Sequence, residues 1–153
     1  MQARLDAFKA APHIMQAMLA LEAATQASGL EASLMELVKI RASQINGCAY
    51  CLHMHTRDAR AGGETEERLH LLPAWRESSY YTPRERAALA WTEAVTLIAK
   101  TQAPDPVYDE LRKHFSEEET VKLTLLIGTI NIWNRLAVGF RSQHPADYAT
   151  RAA

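Results

Sequence analysis

The sequence predicts an all-α protein, and three observations support this fold class. Almost every long segment of the chain places its apolar residues three or four positions apart, which is the spacing of an amphipathic helix. No segment shows the sustained alternation of apolar and polar residues that a half-buried strand requires. Glycine, proline and short polar clusters interrupt these segments where helices are expected to end. The hydrophobic content of 48% supplies one core, so we expect residues 1–153 to form a single helical domain.

Three helices are predicted in the N-terminal part of the chain. Pro12 stands near the start of the first helix, which ends before Ser28-Gly29. The second helix runs from about residue 31 to residue 45, and Asn46-Gly47 breaks it. A third helix is expected over residues 48–63. The apolar stripe of the first helix consists of Ile14, Met15, Met18, Leu19 and Leu21.

Polar residues mark the starts of three later helices. Thr65, followed by two glutamates, opens a short helix that ends near Pro73. Thr82 is followed by a proline and, three positions after it, by Glu85, which is the pattern of a capping box. Ser116 precedes three glutamates and begins the most apolar segment of the protein.

The C-terminal third is predicted to contain two or three helices. A short amphipathic helix covers residues 107–115, after a turn marked by two prolines. The apolar segment from residue 117 to about residue 141 contains Gly128 and Gly139, so one long helix or two shorter ones fit the sequence equally. We interpret these glycines as sites of close helix packing. The segment resembles a buried helix more than a membrane span because it contains Lys122, Asn131, Asn134 and Arg135.

Charge and the N-terminal sequence limit the expected partners and location. The formal net charge is -1, so no basic excess indicates a nucleic acid partner. The first residues include Asp6, Lys9 and His13 and lack the apolar run of a secretory signal. We therefore expect a cytoplasmic protein that binds neither nucleic acid nor membrane.

The chemically reactive residues are concentrated between residues 36 and 55. The two cysteines of the chain, Cys48 and Cys51, are separated by two residues. At about 100° per residue, Cys48, Cys51 and His55 share one face of a helix and can touch. A disulfide across so short a loop would constrain the unfolded chain little. In a reducing compartment this pair therefore indicates redox or metal chemistry.

Two effects can lower the pKa of a thiol in this segment, and they favour different cysteines. The positive end of the helix dipole lies near Cys48, whereas His55 lies one turn beyond Cys51. The sequence leaves open which thiol is the more acidic. Glu36 lies on the preceding helix, and a tight turn at Asn46-Gly47 would bring its carboxylate to His55 as an orienting partner.

The two cysteines also allow interpretations other than redox chemistry. Cysteines in helical register can be small apolar core residues, and structural zinc is a further alternative. Zinc usually takes four ligands, but the chain has no second CxxC pair, and His53 points away from the cysteine face. We therefore predict neither a metal nor an organic cofactor. Trp91 and Trp133 are expected in the core, while Asn131 and Asn134 are expected to satisfy buried backbone groups or each other.

The segment carries a family resemblance. Glu36, Ser43, the sequence Cys48-Ala49-Tyr50-Cys51 and His55 resemble the signature of the alkylhydroperoxidase D and carboxymuconolactone decarboxylase superfamily. The similarity continues over residues 125–136 and covers most of the chain. It implies an all-helical fold and a homo-oligomer, with a hexamer as the family precedent. Part of residues 125–140, or the first helix, is then expected at a subunit interface.

The resemblance also implies a thiol peroxidase. By position, Cys51 would attack the peroxide, Cys48 would resolve the product as a disulfide, His55 would act as the base and Glu36 would end a proton relay. The expected partners are a peroxide and a dithiol electron donor, either a lipoyl protein or a thioredoxin-like protein. Two alternatives stay open: a cofactor-free decarboxylase or lactone-processing relative, against which the intact cysteine pair argues, and a non-catalytic redox sensor.

Overall fold

The computed structural model describes residues 2–144, and all secondary structure in this part of the chain is helical, with no strand. The all-α prediction is confirmed. The described residues form nine α-helices and one short 3-10 turn, in the order α1 (Ala7–Ala10), α2 (Pro12–Gln26), α3 (Ala32–Asn46), α4 (Ala49–Ala61), α5 (Glu66–Leu71), the 3-10 turn (Leu72–Ala74), α6 (Pro83–Thr96), α7 (Ile98–Thr101), α8 (Asp105–His114) and α9 (Glu117–Phe140).

Helix α3 is the centre of the packing. It contacts α4, α6 and α9, and α9 also contacts α2, α4 and α6. Leu37, Val38 and Ile40 of α3 are fully buried, which places apolar side chains on more than one face of this helix. A helix that is apolar around most of its circumference must be surrounded by others, as α3 is.

A tight turn joins α3 to α4 and fixes the position of the cysteines. Gly47 ends α3 in the left-handed conformation, with φ of +66°. The N–H of Cys48 donates to the carbonyl of Ser43 at 3.0 Å, and the N–H of Gly47 donates to the carbonyl of Gln44 at 3.3 Å. This is the hydrogen-bonding pattern with which a glycine commonly closes a helix. Helix α4 therefore folds back along α3, as the sequence predicted.

Asparagine side chains tie this turn to α9. The amide of Asn46 donates to the side-chain oxygens of Asn131 and Asn134 at 3.0 and 2.9 Å. Asn134 in turn donates to the hydroxyl of Ser43 at 3.0 Å, and Asn131 donates to the backbone carbonyl of Ile127 at 2.8 Å. The bond from Asn131 to a backbone carbonyl is the kind of contact predicted for these side chains. Asn131 and Asn134 do not bond each other, because Asn46 binds both of them.

The predicted caps are confirmed. Thr82 and Ser116 form capping boxes with Glu85 and Glu119, and the side chain of Thr65 accepts from the N–H of Arg68. These contacts satisfy N–H groups that a helix start leaves without partners.

The C-terminal apolar segment is one uninterrupted helix, α9. A Cβ atom added at Gly128 or Gly139 would meet no other atom within 4 Å in the described structure. The interpretation of these glycines as close packing sites is therefore wrong within the described chain. By length and composition alone α9 could cross a membrane. Its Leu123 and Ile127 are nevertheless fully buried against neighbouring helices, which is typical of the core helix of a soluble domain.

Several boundaries and burial patterns differ from the predictions. The short helices α1 and α7 were not predicted, and α8 begins at Asp105, so Pro106 lies in its first turn instead of before it. Proline is accepted there because the first N–H groups of a helix need no intrahelical partner. In the stripe of α2 only Met15 and Met18 are buried, while Ile14 is 71% exposed.

Gly47 has a left-handed backbone conformation and Gly128 a helical one, so replacing each by alanine tests what the Gly47 turn requires. Gly47→Ala should lower the free energy of unfolding by about 1 to 2 kcal/mol, because a Cβ is disfavoured in the left-handed region. Gly128→Ala lies in an ordinary helical position with free space, so it should raise the free energy of unfolding by up to about 1 kcal/mol. Urea unfolding followed by circular dichroism measures both. Equal effects of the two substitutions would contradict this view of the Gly47 turn.

Candidate active site

Cys48 and Cys51 form a disulfide at the start of α4. Cys48 is the N-cap residue of this helix, and its sulfur accepts a hydrogen bond from the N–H of Cys51 at 3.3 Å. Their Cα atoms are 5.4 Å apart, within the usual range for a disulfide. Both side chains are buried, with 1% and 2% of their surface exposed. The pair is therefore shielded from bulk solvent.

A cavity of about 660 Å³ adjoins the disulfide on one side only. It lies between the N-terminal segment, α2, α4 and the C-terminal half of α9, and Cys51, His55 and Glu36 line it. Cys48 does not line it and packs in a buried cluster with Ala42 and Ile130. A molecule in the cavity thus meets the sulfur of Cys51, and Cys48 lies behind it.

His55 and Glu36 form a hydrogen-bonded pair in the cavity wall. Nδ1 of His55 lies 2.9 Å from Oε2 of Glu36, and the His55 side chain is buried. Since a carboxylate accepts hydrogen bonds, this contact places the proton of a neutral imidazole on Nδ1. Nε2 then keeps its lone pair, and His55 is equipped to take a proton from a thiol.

Lys39 holds the other side of the Glu36 carboxylate. Its ammonium donates to Oε1 of Glu36 at 3.2 Å. Burial alone would raise the pKa of Glu36, but the hydrogen bond and charge of His55 and the ammonium of Lys39 outweigh burial. The pKa of this carboxyl therefore lies below its ordinary value, and Glu36 is ionised at neutral pH.

Lys39 also links Glu36 to a second carboxylate. The Lys39 side chain is almost completely buried, and its ammonium lies 3.7 Å from Oε1 of Glu22 on α2. The indole N–H of Trp133 on α9 donates to Oε2 of Glu22 at 2.9 Å. Lys39, Glu22 and this role of Trp133 were not predicted from the sequence. The sequence did contain one signal for this network: Lys39 stands among apolar residues of α3, one turn after Glu36.

The structure brings Glu36, Cys51 and His55 to one cavity and places Cys48 directly behind it. His53 is not part of this group and stacks on His144, with ring centroids 5.0 Å apart.

Trp91 is buried as expected, whereas Trp133 is only partly buried: it packs against the buried cluster that contains the two cysteines and also lines the cavity. The predicted core position of Trp133 is therefore confirmed only in part. Among residues 2–144, no group of three or more His, Cys, Asp or Glu side chains is arranged to hold a metal ion.

Replacing Lys39 tests the buried charge network. Lys39→Met should lower the free energy of unfolding at pH 7 by about 2 to 3 kcal/mol, because it leaves two partly buried carboxylates without their cation. A carboxyl with a depressed pKa stabilises the fold above its unfolded pKa, and this stability is lost as the pH falls through its folded pKa. The loss should therefore shrink as the pH is lowered toward about 4, near the ordinary pKa of glutamate.

A surface lysine provides the matched control for this substitution. Lys113 pairs with Glu110 at the same spacing of three residues, but both side chains are exposed. Lys113→Met should change stability little. If chemical denaturation between pH 7 and pH 4 gave similar losses for both variants, the buried network would have no special role.

The model of the carboxymuconolactone decarboxylase family matches residues 12–94, which include α2 to α4 and the whole cysteine segment. The uncharacterized protein YdfG of Bacillus subtilis (strain 168) is 45% identical over 138 residues, which cover 90% of this chain and 94% of YdfG.

Two solved structures extend the comparison to three dimensions. ATU0492 of Agrobacterium tumefaciens, a protein of unknown function described as a candidate antioxidant defence protein AhpD, is 52% identical with a TM-score of 0.93 and covers 95% of this chain and 100% of its own. The debrominase Bmp8 shares the fold at 23% identity and a TM-score of 0.76, over 88% of this chain and 73% of its own. This chain belongs to the carboxymuconolactone decarboxylase family and has the AhpD-like fold.

Proposed function

We propose that this protein is a thiol-dependent peroxidase that reduces hydrogen peroxide or organic hydroperoxides through the Cys48–Cys51 disulfide. The observation that carries the proposal is the placement of one sulfur of this pair, together with the His55–Glu36 pair, in the wall of one cavity. A purely structural disulfide needs neither a cavity nor a base beside it. The likeness to ATU0492, with its description as a candidate antioxidant protein, supports the same class of activity.

The first step reduces the peroxide at Cys51. In the dithiol form, Nε2 of His55 takes the proton of the Cys51 thiol, while Nδ1 keeps its own proton and its hydrogen bond to Glu36, whose negative charge stabilises the imidazolium. The thiolate attacks one peroxide oxygen, so an S–O bond forms and the O–O bond breaks. The leaving oxygen takes the proton from His55 and departs as an alcohol or water. Cys51 is oxidised to a sulfenic acid, and the peroxide gains two electrons.

The second step forms the disulfide. The sulfur of Cys48 attacks the sulfur of Cys51, the S–S bond forms and the S–O bond breaks. The hydroxide that leaves combines with the proton of the Cys48 thiol to give water. The Cα separation of 5.4 Å already suits a disulfide, so the resolving step needs no large backbone movement.

A dithiol donor closes the cycle by thiol–disulfide exchange. It supplies two electrons and two protons, and its own thiols become a disulfide. Since both sulfurs are buried and only Cys51 lines the cavity, the donor thiol must enter the cavity to attack. A slender lipoyl arm fits this route better than the folded surface of a thioredoxin-like protein. The reducing cytoplasm supplies such donors, and we place the protein there.

The assembly is proposed to be a homo-oligomer, with a hexamer as the first arrangement to test. Large apolar side chains on α2 and α9 are exposed in the described chain, and such surfaces are commonly covered between identical subunits. They are Ile14, Leu19, Val121, Leu125 and Ile132.

The roles of the two cysteines can be separated by substitution. Cys51→Ser should abolish peroxide consumption in the presence of a dithiol, because no sulfur then faces the cavity. Cys48→Ser should still complete the first step and accumulate a sulfenic acid on Cys51, which a sulfenic-acid probe and intact mass detect. Full activity without both cysteines would favour a lactone-processing enzyme, and a reversible disulfide without turnover would favour a redox sensor.

Glu36→Gln tests the proton relay. The substitution keeps the shape but removes the charge that holds His55 with its proton on Nδ1, so kcat/KM for peroxide should fall by about 100-fold. Because the pKa of Glu36 is depressed, the deficit should stay constant from pH 8 to about pH 5 and shrink only as the pH falls through that pKa.

Glu110 is the matched control for Glu36. Its carboxylate also contacts a lysine and a histidine, Lys113 and His114, but on the exposed surface of α8. Glu110→Gln should leave kcat/KM unchanged at every pH. Equal rates for Glu36→Gln and the wild type would remove Glu36 from the mechanism.

A further inference from the structure

We propose that the cavity beside Cys51 selects uncharged organic hydroperoxides with an apolar or aromatic body and discriminates against hydroperoxides that carry a carboxylate. This inference rests on the proposed peroxidase function and specifies its substrate. It follows from three properties of the cavity: its size, the apolar character of its walls and the sign of the charges that line it.

The cavity is much larger than hydrogen peroxide needs. Its volume of about 660 Å³ lies in the range of pockets that enclose drug-sized organic molecules. A water-sized molecule occupies about 30 Å³ of liquid volume and would touch only a small part of such a wall. A bulky hydroperoxide would touch the wall on several sides while its O–O group reached Cys51.

The walls away from the cysteine are mainly apolar. On the α9 side they are formed by Ile130, Trp133, Leu136 and Phe140. Met15 of α2 and Phe8 of α1 also line the cavity, and the Phe8 ring stacks on that of Trp133 with centroids 6.5 Å apart. Side chains of this kind bind hydrocarbon and aromatic groups because both surfaces are removed from water.

Every fully charged side chain in the cavity wall is acidic. Asp6, Glu22, Glu36 and Asp58 line the cavity, and no lysine or arginine does so within the described residues. The nearest buried cation, Lys39, is already shared by Glu22 and Glu36 and is shielded from the cavity. Asp6 and Asp58 pair with Lys9 and Arg57, but these two cations are exposed to solvent and do not line the cavity. Exposed pairs of this kind are weak, so a bound carboxylate would still meet an acidic wall in a partly desolvated space, which is unfavourable.

Three neutral donors in the wall are occupied by other partners. The indole N–H of Trp133 and the amide of Gln26 donate to the carboxylate of Glu22. The amide of Gln143 donates to the backbone carbonyl of Arg141 at 2.8 Å. An anionic substrate would have to compete for these groups, whereas a neutral hydroperoxide leaves the network intact. The same acidic wall disfavours a lactone that carries carboxylates.

A matched pair of substrates isolates the effect of charge. The full-length protein is assayed with a dithiol and cumene hydroperoxide bearing a para-carboxylate, and with the methyl ester of that compound. The ester should have a kcat/KM higher by at least about tenfold, because like charges in an enclosed site repel. Unsubstituted cumene hydroperoxide should also be turned over more efficiently than hydrogen peroxide.

The outcomes separate this inference from the proposed function. If no peroxide is consumed, the peroxidase proposal itself fails. If peroxides are consumed but the acid and the ester have equal kcat/KM, or the acid is preferred, the peroxidase stands and the charge selection is wrong. A rate with hydrogen peroxide equal to that with cumene hydroperoxide would overturn the argument from cavity size.

A charge reversal in the wall gives an independent test. Asp58 lies on α4, one turn beyond His55, and its side chain is half exposed. Asp58→Lys should bring the ratio of kcat/KM for ester and acid close to one by raising the rate with the acid. Asp109→Lys makes the same charge change on the exposed face of α8 and should leave the ratio unchanged. An unchanged ratio in Asp58→Lys would contradict selection by the wall charges.

Discussion

The buried ammonium of Lys39 is the interaction on which the arrangement of the site depends. A charge without solvent is stable only when opposite charges surround it, so Lys39 on α3 needs both Glu36 and Glu22 on α2. Glu36 then holds His55 of α4, and Glu22 holds Trp133 of α9. One cation thereby links four helices around the cavity. Burial opposes ionisation of Glu36, but the hydrogen bond and charge of His55, together with Lys39, keep the pKa of this carboxyl below its ordinary value.

A second polar network acts on the opposite side of the cysteine pair. Asn46 closes α3 and binds Asn131 and Asn134 of α9, and Asn134 also binds Ser43. Since these amides are satisfied only in one arrangement, they fix where the Gly47 turn ends and where Cys48 begins α4. The asparagines thus fix the start of the cysteine helix, and the cavity that Cys51 shares with His55 gives access to the pair.

Local signals in the sequence predicted the helices and most of the site. Helical periodicity, the capping boxes at Thr82 and Ser116 and the Asn46-Gly47 break are properties of short segments, so they could be recognised without knowledge of the fold. The positions of Glu36 and His55 followed from the same turn. What could not be predicted depends on contacts distant in sequence, such as Trp133 with Glu22, 111 residues apart. The open space beside Gly128 likewise depends on which helices neighbour α9. The presence of a glycine in the sequence does not show which helices these are.

In the proposed cycle, the roles of the two thiols are assigned by access to the cavity, not by the helix dipole. Cys48 occupies the N-cap position where the dipole favours a thiolate, but it packs against Ala42 and Ile130 and does not line the cavity. A thiolate that no substrate can reach performs no chemistry, so access decides the order of events. Cys51 alone presents sulfur to the cavity, and both the peroxide and the reducing dithiol must reach that sulfur. The oxidising and reducing halves of the proposed cycle therefore use the same cavity in turn. A wall suited to neutral apolar molecules admits the uncharged dithiol of a reduced lipoyl arm as well as a neutral hydroperoxide, and the arm leaves as the dithiolane.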